Sequence, residues 1–189
     1  MRLTTALLFL AITVPLFGKA DIAALEARVA KGDAAAQNEL GALYQAGDGV
    51  PRDEAKALSL YRSAAEAGHT IAAYNLAFMY DMGMAMARDR VKANAWYLKS
   101  AEAGYPPAML NLGMNIAGGE GVLQDFIEGM KWLDLARFFT QKEKDKQVKY
   151  RIREAYDYLK KQMSTGQIQE AERKSKAWYK EFQAKQMKG

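Results

Sequence analysis

Apolar positions along this chain recur at a fixed interval. Leu40-Gly41-x-x-Tyr44 returns thirty-six residues later as Leu76-Ala77-x-x-Tyr80, and again as Leu112-Gly113-x-x-Ile116. In the first copy Ala36, Leu40 and Tyr44 fall at i, i+4 and i+8, which is one face of a helix. A glycine-bearing loop follows each copy and ends at an aspartate (Asp53, Asp89, Asp125) suited to cap a second helix. That second helix carries Ala57, Leu60, Tyr61, Ala64 and Ala65 in the first copy. The second copy has Ala93, Trp96, Tyr97 and Ala101, and the third has Trp132 and Ala136. Each unit therefore reads as two antiparallel helices with small and large buried residues alternating. A period in this range is the signature of a stacked helical array.

The units run over 32–67, 68–103 and 104–139. Before them, Ile22, Leu25 and Val29 recur at helical spacing, and Gly32 ends the run. This predicts a helix over 21–31 that caps the open end of the stack, as an array requires for solubility. Gly41 leaves room for another backbone to approach closely. Ala85 stands where the other two units have a second loop glycine. Alanine tolerates positive φ badly, which predicts a different path for that loop. Residues 140–189 do not repeat the unit. Gln141 to Lys146 alternates in charge and starts a helix, whose apolar stripe is Val148, Ile152, Ala155, Tyr156 and Leu159. Ser164 to Gln167 has capping-box spacing and opens a second helix with Ile168, Ala171, Ser175, Trp178 and Phe182 on one face. This pair is expected to cover the exposed face of the last unit.

The full pattern is Ala-x3-Leu-Gly-x2-Tyr-x2-Gly-x-Gly-Val-x2-Asp-x3-Ala-x2-Trp-Tyr-x2-Ala-Ala-x2-Gly. It resembles the Sel1-like repeat, a relative of the tetratricopeptide repeat. The resemblance implies an all-α fold: an α/α superhelix, or solenoid, of three Sel1-like helix pairs with an N-terminal capping helix and a C-terminal helix pair. The ending is similar to the terminal pair of bacterial Sel1-repeat proteins, with Gly166 where proline is usual, a change that weakens the helix start. The resemblance further implies adaptor, assembly or regulatory work at the bacterial envelope. In tetratricopeptide arrays the first helix of each unit lines a concave groove. Carried onto this chain, Tyr74, Phe78, Met82, Leu110 and Met114 would supply affinity for a protein partner. Asn38, Gln45 and Asp81 would fix its orientation. The competing expectation is that the C-terminal helices cover this groove.

Composition narrows the picture. The chain has 189 residues, enough for one sizeable domain. Arg2, the apolar stretch Leu3 to Phe17 and the small residues Gly18 and Ala20 read as a signal peptide cleaved after Ala20. The expected location is the periplasm. There is no cysteine, which excludes disulfides, thiol catalysis and a lipid-modified N-terminal cysteine. The single histidine, His69, aligns with Asp33 and Tyr105 and reads as a surface turn residue. Charge is uneven: residues 21–139 hold 11 Lys+Arg against 15 Asp+Glu, whereas residues 140–189 hold 14 against 7. A basic ending on an acidic body points to an acidic partner or a membrane surface, or to solvated lysine faces. Trp178, Tyr179 and Phe182 beside Lys174, Lys176, Lys180, Lys185 and Lys188 would suit anionic lipid, or the aromatics dock on the third unit. No nucleic-acid motif accompanies the basic residues.

Candidate chemistry is sparse. The repeated aspartates have a structural role as caps. Gly118-Gly119-Glu120-Gly121 lacks the lysine and preceding strand of a phosphate loop. Met82-x-Met84-x-Met86 could bind Cu(I) through thioethers, but Met86 aligns with Val50 and Val122, which look buried, and loop packing competes. The reading is a non-enzymatic, cofactor-free module that holds another exported protein. One alternative is a periplasmic immunity protein that neutralises a secreted toxic effector such as a phospholipase. Another is a β-lactam-binding or hydrolysing enzyme, whose paired cysteines are missing here.

Overall fold

The computed structural model describes residues 19–141 and 145–187. The expected signal peptide, apart from its last two residues, lies outside the described residues, as does Lys188. Nine α-helices and no strand occur among the described residues: α1 (Lys19–Val29), α2 (Ala34–Ala46), α3 (Glu54–Glu66), α4 (Thr70–Met82), α5 (Arg90–Glu102), α6 (Pro106–Gly118), α7 (Phe126–Phe139), α8 (Lys146–Lys160) and α9 (Thr165–Gln186). The period is literal. First helices begin at 34, 70 and 106, and second helices at 54, 90 and 126. Each helix packs on the next from α1 through α8, forming an α/α solenoid.

Local chemistry sets the helix ends. Asp53, Asp89 and Asp125 have extended backbones, and the Oδ1 of each accepts from the backbone N–H three residues on, at 2.9 Å. Asp33 caps α2 by accepting from Ala35 and Ala36. Those N–H bonds and the Arg28 guanidinium hold its carboxyl below the usual value. At the equivalent place in the second unit His69 is half-buried and caps α4, its Nδ1 accepting from Ala72 at 3.2 Å. The histidine is thus a helix cap and not a simple surface turn residue. In the third unit Tyr105 makes no side-chain cap. Pro106 and Pro107 open that helix and have no N–H to satisfy.

The loop of the second unit corrects the expectation drawn from Ala85. Its φ is 61°, beside 70° at Gly49 and 74° at Gly121, so the path is shared. The same bonds close all three loops: Asp53 N–H to the Tyr44 carbonyl at 2.9 Å, Asp89 to Tyr80 at 2.9 Å and Asp125 to Ile116 at 3.1 Å. Fixed at both ends, the loop holds alanine where its own preference points elsewhere. Replacing Ala85 with glycine is expected to raise stability by about 0.5–1 kcal/mol in urea unfolding. A loss of stability would mean that the methyl group packs usefully.

Large side chains at one register fill the core. Leu40, Leu76 and Leu112 are buried, as are Tyr61, Tyr97 and Leu133. Tyr44 and Trp96 are half-buried and pack against it. Beside Gly41 the close neighbour is the Tyr61 ring, at 2.9 Å from where a Cβ would stand, and not a backbone. Ile22 and Leu25 of α1 close the first end over Leu40 and Leu43.

At the other end α8 packs on α6 and α7, and α9 lies along α7. The helix expected to begin at Gln141 begins at Lys146, capped by Asp145, with Gln141 in a turn. Ser164 and Gln167 form the capping box, which starts α9 at Thr165 despite Gly166. The α9 aromatics dock inward: Trp178 meets Trp132 at 5.6 Å, and Phe182 meets Phe139 at 5.2 Å between ring centroids. Tyr179 lies 4.3 Å from Phe138. They pack on the third unit, which leaves the α9 lysines without the aromatic wedge that the lipid reading needs. No helix among the described residues is long and apolar enough to cross a membrane.

Candidate partner-binding face

The first helices α2, α4 and α6 keep one face only half-covered. On α4 it is formed by Tyr74, Asn75, Phe78, Asp81 and Met82, spaced at three and four residues. On α2 it includes Asn38, Ala42 and Gln45, and on α6 it includes Asn111 and Met114. The structure therefore brings most of the expected residues to equivalent positions on neighbouring helices.

Many of their polar groups already have partners. The Asn75 amide donates to the Asn38 carbonyl oxygen at 2.9 Å, joining α4 to α2. The Tyr61 hydroxyl donates to Gln45 Oε1 at 2.9 Å, while the Gln45 amide points to the Met84 sulfur at 3.7 Å. Asp81 lies within 3.3 Å of Arg90 and 3.4 Å of Arg88. Arg90 also pairs with Glu120, so Asp81 belongs to an ion-pair network that ties the second unit to the third. Its expected role in orienting a partner must compete with those arginines.

Tyr74 is the hub of the aromatic part. Its ring lies 5.8 Å from Tyr97 and 5.3 Å from Tyr105. Asn111 donates to the Tyr97 hydroxyl at 3.0 Å. Burial pushes the phenols of Tyr74 and Tyr97 up from their ordinary value, opposed in part by Arg151 and by hydrogen bonding to Asn111. Both hydroxyls stay neutral and present O–H groups rather than charge at physiological pH.

Leu110 departs from the expectation. It is 6% exposed and belongs to the core, at the end of the array where α8 packs on α6. It cannot offer a side chain to a partner, so the accessible part of the face lies over the first two units, with Met114 at its edge. Two residues escaped the sequence reading. Arg151 of α8 acts on the Tyr74 and Tyr97 phenols only through its charge, and α8 lies outside the repeat, so no period pointed to it. Asn111 was visible as the equivalent of Asn75, and that recurrence was its signal.

The methionine run is dispersed. Met82 is exposed at 37%, whereas Met84 and Met86 are half-buried against the core, and the Met84 sulfur faces Gln45. Loop packing accounts for two of the three sulfurs. Val122, expected to be buried at the Met86 position, is 39% exposed.

The sequence signature of the Sel1 repeat matches residues 34–69, 70–105 and 106–137. Each match starts two residues after the expected boundary. The chain is similar to a Sel1 repeat protein from Oxalobacter formigenes, with 30% identity and a TM-score of 0.60, over 71% of this chain and 98% of that one. It is similar in fold to a protective antigen present in uropathogenic Escherichia coli strains that displays an SLR fold. That likeness has 23% identity and a TM-score of 0.57, over 89% of this chain and 44% of the antigen. No curated protein matches the chain.

Proposed function

The chain belongs to the Sel1 repeat family, and from that premise we propose that it is a non-catalytic adaptor that holds a segment of another exported protein. Proteins of this family generally mediate protein–protein interaction. The surface in this reading is the first-helix face of α2 and α4, with Met114 of α6 at its margin. The observation that supports it is the partly exposed run of Tyr74, Phe78 and Met82 on α4, which neighbours Asn38 and Gln45 of α2. Aromatics contribute large contact area at low entropic cost, and methionine adapts to irregular shapes. A peptide backbone would have to exchange for the bonds that Asn38 makes with Asn75 and that Gln45 makes with Tyr61 and Met84. Export rests on the signal-like residues 1–20, and the proposed location is the periplasm.

The test is capture of a partner from a periplasmic extract by the tagged mature chain, with identification by mass spectrometry. Phe78→Glu and Met82→Glu should each lower capture of the same protein by about tenfold or more, since truncating a central contact residue costs at least that much. Circular dichroism checks that the helices persist. Met82 is exposed enough that its variant should fold even if the Phe78 variant does not. Unchanged capture by a folded Met82→Glu chain, together with undiminished capture by any folded Phe78→Glu chain, would overturn this placement.

A further inference from the structure

A second surface differs from the first-helix face in both place and chemistry. Lys146, Lys149, Arg153 and Lys160 follow one another along α8 at intervals of three, four and seven residues, which makes a single stripe. Arg137, near the end of α7, extends it. Two adjoining clefts of about 300 and 430 Å³ open here and share Lys149 and Arg153. Arg137, Thr140 and Asp157 help to line the first, and Lys146 and Tyr150 line the second.

Among the described residues, Lys146, Lys149 and Arg153 lack the counter-charges that many cations of the repeats have. In the repeats Arg28, Arg52, Arg88, Arg90, Lys92 and Lys131 each meet a carboxylate. Among the described residues, no carboxylate forms an ion pair with Lys146, Lys149 or Arg153. Lys149 donates to the Gln141 carbonyl at 3.0 Å. The Arg153 guanidinium lies 5.8 Å from the centre of the Tyr150 ring, itself 54% exposed. Arg137 sits over the Tyr156 ring at 3.8 Å and is 3.7 Å from Asp134. Among the described residues, the one acidic residue lining the two clefts is Asp157.

We propose that this stripe binds an acidic segment of a protein, independently of the first-helix face. Charge complementarity selects a polyanion, and shape selects its kind. A lipid surface takes up basic rows flanked by inserted apolar side chains, whereas the α9 aromatics are turned onto α7 and Lys149 and Arg153 line two shallow clefts. Spacing agrees as well. Residues four apart on a helix are separated by about 6 Å along its axis. Alternate side chains of an extended peptide stand about 6.6 Å apart on one side. Carboxylates at every second position of an extended segment therefore match Lys149 and Arg153, and the exposed Tyr150 ring can pack against the intervening chain.

The probe is a fluorescein-labelled ten-residue peptide of alternating glutamate and serine, read by fluorescence anisotropy against the mature chain. Binding should weaken as salt rises, because the charges are exposed. Lys149→Glu with Arg153→Glu should lower affinity by about tenfold or more, since like charges then face the peptide. Lys176→Glu with Lys180→Glu on α9 makes the same change in net charge and should alter affinity by less than about twofold if position matters. Phe78→Glu should leave peptide binding intact, which separates this proposal from the adaptor reading. Lys149→Gln with Arg153→Gln removes charge without adding repulsion and serves if the reversal disturbs folding. Equal losses from the α8 and α9 pairs would reduce the effect to net charge and overturn the proposal. So would failure of the wild-type chain to bind the peptide, or binding of anionic phosphatidylglycerol vesicles through Lys149 and Arg153 in its place.

Discussion

Tyr97→Ala should destabilise the protein by about 3–5 kcal/mol, the loss expected when a buried aromatic ring is truncated to a methyl group. Tyr97 is fully buried in the second helix of the second unit. Its ring packs against Tyr74 of the first helix, and its hydroxyl accepts from Asn111 in the next unit. One side chain thus joins both helices of its own unit to the following one. Alanine leaves a cavity and a partly buried amide without its acceptor. Tyr97→Phe keeps the ring and removes only the oxygen, so its cost should be about 1–2 kcal/mol. Urea denaturation of the three chains separates the two contributions. With a domain stability of about 5–15 kcal/mol, the alanine variant would sit near the edge of folding. An alanine variant as stable as wild type would mean that Tyr97 is not a joint between units.

Gly129→Val should cost about 1–3 kcal/mol or more through overpacking between α6 and α7. A Cβ at Gly129 would lie 2.7 Å from the Gly113 carbonyl oxygen and 2.8 Å from the Ala117 Cβ. From the other side, a Cβ at Gly113 would meet the Gly129 carbonyl oxygen at 2.8 Å. The obstruction is backbone, which cannot rotate away, so the helices must separate. Because α7 also carries α8 and α9, the displacement would reach the C-terminal helices. Gly129→Ala provides a test of sign. Helix propensity alone favours alanine by about 1 kcal/mol, whereas the close approach opposes it. Thermal unfolding should show a lower Tm for alanine and a still lower one for valine. A higher Tm for alanine would show that the helices can move apart at little cost.

The period carried most of the architecture. Leucine, alanine and tyrosine at thirty-six-residue spacing located the helices, and the aspartate at each second-helix start foretold a cap that the backbone uses. The readings that failed were decided by bonding or packing that the residue pattern alone does not display. Ala85 keeps a left-handed backbone because bonds at both ends of its loop hold the path. Leu110 occupies a position that the first-helix pattern assigns to the groove, yet it is buried in the main core, on a helix that the non-repeating α8 contacts. The charge of Arg151, on α8 itself, acts on the Tyr74 and Tyr97 phenols. Nothing periodic announces the placement of α8, because it is not a copy of any earlier helix. His69 is a subtler case. Its alignment with Asp33 was visible, but imidazole is a less common cap than carboxylate, and the shared role emerged only with Nδ1 beside the Ala72 N–H.

The α8 stripe was partly visible for a similar reason. The excess of lysine and arginine in the C-terminal third is plain in composition. Its division is not. Packing turns the α9 aromatics onto α7, and it leaves Lys146, Lys149 and Arg153, which meet no carboxylate among the described residues, along two clefts. A charge count over residues cannot tell which basic side chains meet a carboxylate and which do not.

The central claim is that recognition belongs to the first-helix face of the early repeats. Its most direct test is a paired capture measurement with Met82→Glu on α4 and Leu98→Glu on α5, two residues of nearly equal exposure on opposite helices of one unit. Met82→Glu should lose about nine-tenths of the captured partner while Leu98→Glu retains it. Equal capture by both, or loss confined to Leu98→Glu, would contradict the claim.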